Sequence, residues 1–592
     1  MPDAVPPFPY PIPPGDLLAT CGFEHGMSWL VDRPIQGIVR LSRAPNGWVG
    51  GRVNAGYKDI RGARALVLWV YAEQQAECKV ELAGGFPGKK LIIVKPGAWQ
   101  KITISLSLTS TAVQPVYLYF SDIMDDLYLA ACFLEQLPLI PWRGRFDAGS
   151  VRAAVAGYTA CGIHEATGFP YDVINNAGVV GAYTQPAAIG FYLQYLLTES
   201  AQERRGRYAR AASSNDPQIQ KILLSLTSLQ DDSSIAWRGL LPWLKLPADS
   251  AILDRDEIAF GDNIMLSMSV AMVLGAGEIV SPETAALARN FLVRQRSEGG
   301  YLQLFDGTRG LLRGAVDRLG QPRNQYFMDR LFNEFRAGVA FAVACFGVED
   351  RAWSNLASMS PMMKTYYASR PAVGPSHEVL NYVAWNGSAH QLSWPLLFLP
   401  EHALSPDLAV AHANALFTML DSAQRQQLLG VPAASAVPST GGYLYSGQQG
   451  EAVLAESSDN SAAVRSIYGL APYYTMLDDA GRSTLASWFG AYASEPGMRG
   501  RYGLFDAVDQ EGRIAEVNLA IDSLTTALIG SPAPEYLVRF LESEHAIDAV
   551  RRLYSMFHGS IPAVDAALPE PLVRAPEPWP ISVSGVRRTH PA

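Results

Sequence analysis

Between about Gly22 and Gln136 the apolar residues recur with a period of two, in short β-branched or aromatic runs. These runs are Gly37–Arg43, Ala65–Ala72, Glu77–Leu82, Lys90–Lys95, Gln100–Leu108, Pro115–Ser121 and Leu127–Leu134. Turn residues separate them, as at Pro45-Asn46-Gly47 and Gly84-Gly85-Phe86-Pro87-Gly88. Strands at this spacing predict a β-sandwich. Beyond it the period lengthens to three and four, which predicts helices. The candidates are Ala187–Thr198, Pro217–Leu229, Asn263–Leu274, Pro282–Gln295, Asp329–Cys345, Ser388–Phe398, Ser405–Leu420, Ser461–Met476, Ala480–Tyr492, Asn518–Ile529 and Glu535–Phe557. Pro282 falls where a first helical turn tolerates it. Long loops rich in Gly, Tyr, Trp and Asp separate alternate pairs, so a helical toroid is expected, with sites where the loops converge. The resulting layout is a proline-rich arm (1–18), a β-sandwich (19–136), a linker (137–149), an all-helical domain (150–560) and a proline-rich tail (561–592).

Composition narrows the function classes. A chain of 592 residues exceeds one ordinary domain. Charged residues make up only 17% and aromatics 10%, enough apolar material for large cores. The net charge of −9 and the lack of a basic cluster argue against a nucleic-acid surface, and suit a neutral ligand such as a sugar. Cys21, Cys78, Cys132, Cys161 and Cys345 are scattered, odd in number and without a CxxC, so ordinary thiols are expected rather than a disulfide framework or zinc knuckle. The start MPDAVPPFPYPIPP has neither a basic n-region nor an apolar h-region, and no apolar run would span a bilayer. The expectation is a cytoplasmic protein without membrane insertion, or a periplasmic or secreted one if a leader was removed. The oligomeric state is left open.

Candidate chemistry concentrates in Gly500–Gly530. An aromatic loop, Tyr502-Gly503-Leu504-Phe505, ends at Asp506, and a turn follows at Asp509-Gln510-Glu511-Gly512. Val517–Ile529 reads as a buried helix with Asp522 inside it. A carboxylate there is costly unless it has partners or a function. Two acids beside aromatic rings and glycines are what a sugar site needs, since rings stack on pyranose faces and carboxylates move protons.

The same stretch resembles the C-terminal motif of the bacterial glycoamylase-like family, through Tyr502-Gly503-Leu504-Phe505-Asp506-Ala507 and Ala520-Ile521-Asp522. Further pieces follow the family's order. They are Ala166-Thr167-Gly168-Phe169-Pro170-Tyr171-Asp172 with Ile189-Gly190-Phe191-Tyr192-Leu193, Trp237–Trp243, Phe260-Gly261-Asp262-Asn263, Tyr301–Asp306, Arg309–Arg313, Asn333-Glu334-Phe335-Arg336, Trp385-Asn386-Gly387-Ser388 and Ala455-Glu456-Ser457. The resemblance covers roughly Gly162–Gly530 and departs at two places. The family's aspartate is missing from the Trp237 segment, and its paired histidines are absent near Asn518. The N-terminal order of Phe23-Glu24, Trp99 and Asp122–Leu134 resembles carbohydrate-binding jelly rolls.

The resemblance implies a multidomain fold, a jelly-roll-like β-sandwich followed by an (α/α)6 toroid. It implies a glycoside hydrolase or transglycosylase acting on an oligo- or polysaccharide, a β-linked and specifically β-1,2-linked bacterial glucan, with no cofactor or metal. Glycoside cleavage needs a protonated acid at the leaving oxygen and a base or nucleophile at the anomeric centre. Asp262, Glu334 and Asp522 are the catalytic candidates, and Trp237, Arg336, Trp385, Glu456, Tyr502 and Asp506 the substrate-binding ones. Each acid also has a structural reading. Asp262 suits a helix N-cap, Glu334 an ion pair with Arg336 or Arg330, Asp522 a satisfied core acid and Asp506 a turn residue. The alternative function is a non-catalytic glycan-binding or scaffold protein in polysaccharide assembly. No HExxH, GxSxG elbow or GxGxxG unit appears, so zinc, acyl-transfer and nucleotide chemistry have no support.

Overall fold

The computed structural model describes Pro9 and residues 22–23, 31–35, 38–41, 50–59, 63–83, 90–105, 113–121, 126–136, 139–205, 213–246, 256–323, 325–358, 362–425, 428–432, 436–439, 442–445, 451–456, 464–495, 497–509 and 514–574. The proline-rich arm apart from Pro9, Glu24, Asp122 and the tail beyond Arg574 lie outside the described residues. The chain divides into two compact units. One is Met1–Pro141 with 510–513 and 572–592, and the other is Trp142–Asp509 with Ile514–Pro571.

The first unit holds two five-stranded antiparallel sheets. Its strands are β1 (Gly22–Phe23), β2 (Val31–Ile35), β3 (Ile38–Leu41), β4 (Gly50–Asp59), β5 (Ala63–Ala72), β6 (Ala76–Ala83), β7 (Lys90–Val94), β8 (Gln100–Ser105), β9 (Val113–Ser121) and β10 (Leu127–Gln136). The sheet orders are β1-β4-β9-β6-β7 and β2-β3-β10-β5-β8. All seven runs read from the period-two pattern are strands. Leu66, Leu68, Val70 and Ala72 of β5 are wholly buried on one face. On the other, Tyr71 and Tyr128 stand opposite each other in register, with ring centroids 6.0 Å apart. The segment read as linker contains a further strand, Leu139–Pro141, which pairs with Leu572–Arg574.

The second unit is built on six inner helical elements, each touching the next until the ring closes. In chain order they are Pro186–Arg205, Phe260–Gly275, Arg336–Phe346, the joined Ala389–Ser393 and Trp394–Leu397 turns, Tyr468–Met476 and Ala520–Ala527. Inner helices face protein on all sides, and their composition shows it. In Phe260–Gly275 every residue from Asn263 to Val273 is buried, as expected of a helix that is apolar all round. Outer helices brace the ring. Ala148–Cys161 lies against Ala520–Ala527, Asp216–Asp231 against Pro282–Glu298, Ala533–Ser543 against Phe260–Gly275, and Ile547–Tyr554 against Arg336–Phe346.

Several elements differ from the sequence pattern. Val517–Leu519 is a strand, and the helix starts at Ala520. The helix expected from Asp329 begins only at Arg336, because residues 331–335 form bends and a turn. Glu535–Phe557 is broken into Ala533–Ser543 and Ile547–Tyr554 at His545, which has φ of 56°. Apolar spacing continues through each break, so periodicity could not register it.

The loops before the inner elements are stapled by very short sheets. Val173–Asn175 pairs with Val180–Gly181 and with Val517–Leu519. Tyr183–Thr184 pairs with Leu244–Lys245, and Ile258–Ala259 with Ala315–Val316. Val464–Ser466 pairs with Ala507–Asp509, and Ala384 bridges Ala455. Loops far apart in sequence are thereby held at one rim.

One close approach sets the packing of the ring on its outer layer. A Cβ at Gly275 would lie 1.8 Å from the Tyr536 carbonyl oxygen and 3.0 Å from the Phe540 nitrogen. Both obstacles are helix backbone and cannot swing aside. Gly275→Ala is therefore expected to destabilise the helical unit by about 2–3 kcal/mol through forced separation of the two helices. A urea midpoint unchanged from the parent protein would contradict this.

Candidate active site

Five carboxyl groups form the candidate set, three at the starts of inner elements and two in neighbouring loops. Asp262 lies in the first turn of Phe260–Gly275. Glu334 sits on the turn two residues before Arg336–Phe346 rather than inside that helix. Asp522 is in the first turn of Ala520–Ala527. Asp506 lies in the loop between the strands Gly503–Leu504 and Ala507–Asp509. Asp172 ends the loop leading into Val173–Asn175.

Asp262 does not cap its helix: the N-cap is Ala259, without a side-chain bond. Its Oδ2 instead accepts a 2.7 Å hydrogen bond from the Trp243 indole, whose ring stacks on Tyr183 at 5.9 Å and 11°. Burial outweighs that bond and pushes the carboxyl up to about 6, with the charges of Glu257 and Asp172 adding to the rise.

Burial likewise pushes Glu334 up to about 7; hydrogen bonds and the Arg336 charge oppose the shift, and the Asp262 charge adds to it. The Gln391 side chain is one of those hydrogen-bond partners. Gln391 is held in turn by the Asn386 N–H, which donates to its Oε1 at 3.0 Å. The Nε2 of His390 lies 3.9 Å from Glu334 Oε1, too far for a hydrogen bond. Desolvation holds His390 down to about 3, so the ring is neutral. Its Nδ1 is met by Ser388 Oγ at 3.0 Å and Tyr468 OH at 3.3 Å. Glu334 Oε2 is buried without a hydrogen-bond partner.

Across the rim, Asp506 and Asp522 are 4% exposed each. They line one small cavity with Ser466, Tyr468, Phe505, Ser523 and Thr526. Burial and the Asp506 carboxyl drive Asp522 well above the usual carboxylate range, and Asp172 contributes. A carboxylate beside a second buried carboxyl makes ionising that second group harder.

Expectation and structure part company at three substrate-binding candidates. Arg336 is not at a sugar hydroxyl; it is wholly buried and bound to Glu401 by Nε at 2.9 Å and Nη2 at 2.5 Å. Glu401 also accepts from Tyr554 OH at 2.7 Å and lies 2.9 Å from His412 Nε2. Tyr502 is 5% exposed, with its hydroxyl close to Gly178 and its backbone packed on Gly157. Trp237 is half-buried, and its contacts run to Gly320 and Arg238 rather than to the acids. Trp385, Glu456 and Arg330 form one cluster. Arg330 Nε donates to Glu456 Oε2 at 2.5 Å, and its guanidinium lies 4.6 Å from the Trp385 ring centroid. Trp385 remains 42% exposed. The cluster adjoins Glu334 through Asn386 and Gln391. Gly387 makes that turn, with φ of 69° and the Glu451 carbonyl 2.6 Å from where a Cβ would stand.

Sequence reasoning did not nominate Asp172, His390 or Gln391. Asp172 stood within a quoted motif, and its place beside buried aromatic residues was the available signal. His390 and Gln391 follow the Trp385 loop at helical spacing and carried no separate mark.

No family profile and no curated sequence matches the chain. Solved structures do. An endo-β-1,2-glucanase from Talaromyces funiculosus, in complex with sophorose, superposes with TM-score 0.60 at 15% identity over 71% of this chain and 92% of that one. A mutant of an enzyme of that description from the same organism, in complex with β-1,2-glucan, gives 0.58 at 15% identity over 71% and 94%. The endo-β-1,2-glucanase from Chitinophaga pinensis, in complex with sophorotriose and glucose, gives 0.52 at 13% identity over 69% and 98%. At these identities the likeness is one of fold. The helical unit has the toroid fold of the glycoamylase-like glycoside hydrolases, and the motif resemblance agrees with it.

The shifts give a signed expectation for stability. Glu334 and Asp262 have folded-state pKa values raised above their ordinary 4.5 and 3.8. The stability they contribute as neutral groups is full below about pH 4 and is lost as pH rises through 6 and 7. Glu401 is held at about 2, so its contribution is present above about pH 4.5 and lost as pH falls toward 2. Thermal unfolding is expected to peak near pH 5 and to decline by pH 8. Glu334→Gln should remove on the order of 3 kcal/mol of that decline. An identical pH dependence in the variant would show that Glu334 is not held neutral.

Proposed function

We propose that this protein is a glycoside hydrolase acting on a β-linked glucan, with β-1,2-glucan the first substrate to test. The observation that carries the reading is Glu334, a carboxyl raised to about 7, backed by Gln391 and with one oxygen free of any hydrogen-bond partner. Such a group holds its proton near neutral pH and has a lone oxygen from which to give it. The fold likeness to enzymes solved with β-1,2-linked glucan or its oligosaccharides supports the substrate class.

In this reading Glu334 donates its proton to the glycosidic oxygen as the C1–O bond breaks. Asp506, beside an Asp522 held neutral, takes a proton from the water that attacks the anomeric carbon. Burial keeps Glu334 protonated, and the charge of Asp262 adds to the effect. Trp385 offers an exposed aromatic face for a sugar ring, steadied by Arg330 on the indole and Glu456 behind it. A second sugar hydroxyl in place of water would turn hydrolysis into transglycosylation.

The test is mass spectrometry of products from a panel of β- and α-glucans, including linear and cyclic β-1,2-glucan. Shortened products from a β-glucan are expected. Glu334→Gln should leave folding intact and lower kcat by about 10²–10⁴-fold. Near-normal turnover in that variant would remove Glu334 from the mechanism. Binding without any product from the parent protein would favour a glycan-binding role.

A further inference from the structure

The loop after Trp385 holds the ring of His390 through donors whose direction can be read. Asn386 Oδ1 accepts from the Ser388 N–H at 3.0 Å, so this atom is the amide oxygen and cannot donate. The Ser388 hydroxyl donates to the same oxygen at 2.5 Å, and it has one proton to give. Ser388 Oγ also lies 3.0 Å from His390 Nδ1, where it can therefore only accept. Nδ1 must then carry the hydrogen of the neutral ring, and Nε2 keeps a lone pair. Nε2 is the nitrogen that faces Glu334, 3.9 Å from its Oε1. The ring is 5% exposed and packed on Trp394 and Tyr468, with centroids 4.9 Å and 6.3 Å away.

We propose that Ser388 and His390 are positioning residues for Glu334, with Ser388 locking the imidazole in its Nδ1–H tautomer so that a lone pair, and not a proton, faces the carboxyl. At 3.9 Å ring and acid do not bond, but a lone pair this near a desolvated carboxyl repels the ionised form and favours the protonated one. The opposite tautomer would present an N–H and favour the carboxylate. The Tyr468 hydroxyl, 3.3 Å from Nδ1, is the donor that would release that tautomer once Ser388 Oγ is removed. The titratable and charged groups facing the ring and the acid are Tyr468 on Tyr468–Met476, Arg336, and Asp262 on the second inner helix. Arg336 and Asp262 act on Glu334 with opposite signs. The bearing on turnover rests on the hydrolase reading above, but the tautomer and its effect on protonation do not.

The experiment begins with the full chain carrying 15N-labelled histidine. The His390 signals are assigned by their loss in His390→Gln, and long-range proton–nitrogen correlation near neutral pH then reports which ring nitrogen is protonated. Hydrogen on Nδ1 is expected, and hydrogen on Nε2 in the parent protein would overturn the proposal without any further variant. Ser388→Ala should move the hydrogen to Nε2, and Ser388→Thr, which keeps the hydroxyl, should leave it on Nδ1. The second readout is the part of the infrared protonated-carboxyl band that Glu334→Gln removes. In Ser388→Ala it is expected to titrate about one unit lower, a tenfold change in proton affinity. A purely structural Ser388 would lower the unfolding temperature of that variant and leave both tautomer and band unchanged, which would also overturn the proposal, as would a changed tautomer with an unchanged band. Once a substrate is found, the alkaline limb of kcat in Ser388→Ala should move to lower pH with the band. The expected tautomer and band shift without product from any glucan would leave the lock standing and count against the hydrolase reading alone.

Discussion

The ion pair between Arg336 and Glu401 is the constraint around which the helical unit is arranged. Both side chains are wholly buried. Arg336 also donates to the Leu392 and Asn333 carbonyls, each at 3.3 Å, while Glu401 takes Tyr554 and faces His412. Five helices and the segment before Arg336 meet on these two residues. Burying two charges is expensive, and the cost is offset only when every donor and acceptor is met. That requirement fixes the start of the Arg336 helix, and hence the turn bearing Glu334 two residues earlier.

The same physics gives opposite results on two acids around one arginine. Glu401 and Glu334 are both desolvated, yet one is held at about 2 and the other at about 7. The difference lies in contact with the cation. Arg336 spends its donors on Glu401 and the two carbonyls, and acts on Glu334 only through space. A single arginine therefore divides neighbouring acids into an ionised structural one and a neutral one. Asp522, with Asp506 beside it, is driven up first by burial, and the charges of Asp506 and Asp172 add to the rise.

The rim gains its geometry from the ring. Six inner elements begin at one end, so the residues just before or within their first turns converge: Gln185, Asp262, Glu334, His390, Ser466 and Asp522. Two- and three-residue sheets join neighbouring loops, which lets the loops be long without each needing its own core. Trp385 stays exposed within this framework because Arg330 and Glu456 hold its loop from one side.

Much of this was legible in the chain. Period-two runs marked the seven strands, since a strand with distinct faces writes its alternation directly into the sequence. The long inner helices were visible as apolar runs, and the carboxyls Asp262, Glu334, Asp506 and Asp522 stood out as charges amid apolar residues. What the chain could not disclose was pairing. Arg336 looked as suited to a sugar as to an acid, because its partner Glu401 lies 65 residues away and only folding brings them together. Helix starts at Arg336 and Ala520 depended on a buried network and a cross-strand pairing, neither of which has a local signature. Local pattern determined which segments are strands or helices and which residues are chemically costly. The partners that decide whether a costly residue is structural or reactive come from contacts distant in sequence, so only the tertiary structure decided them.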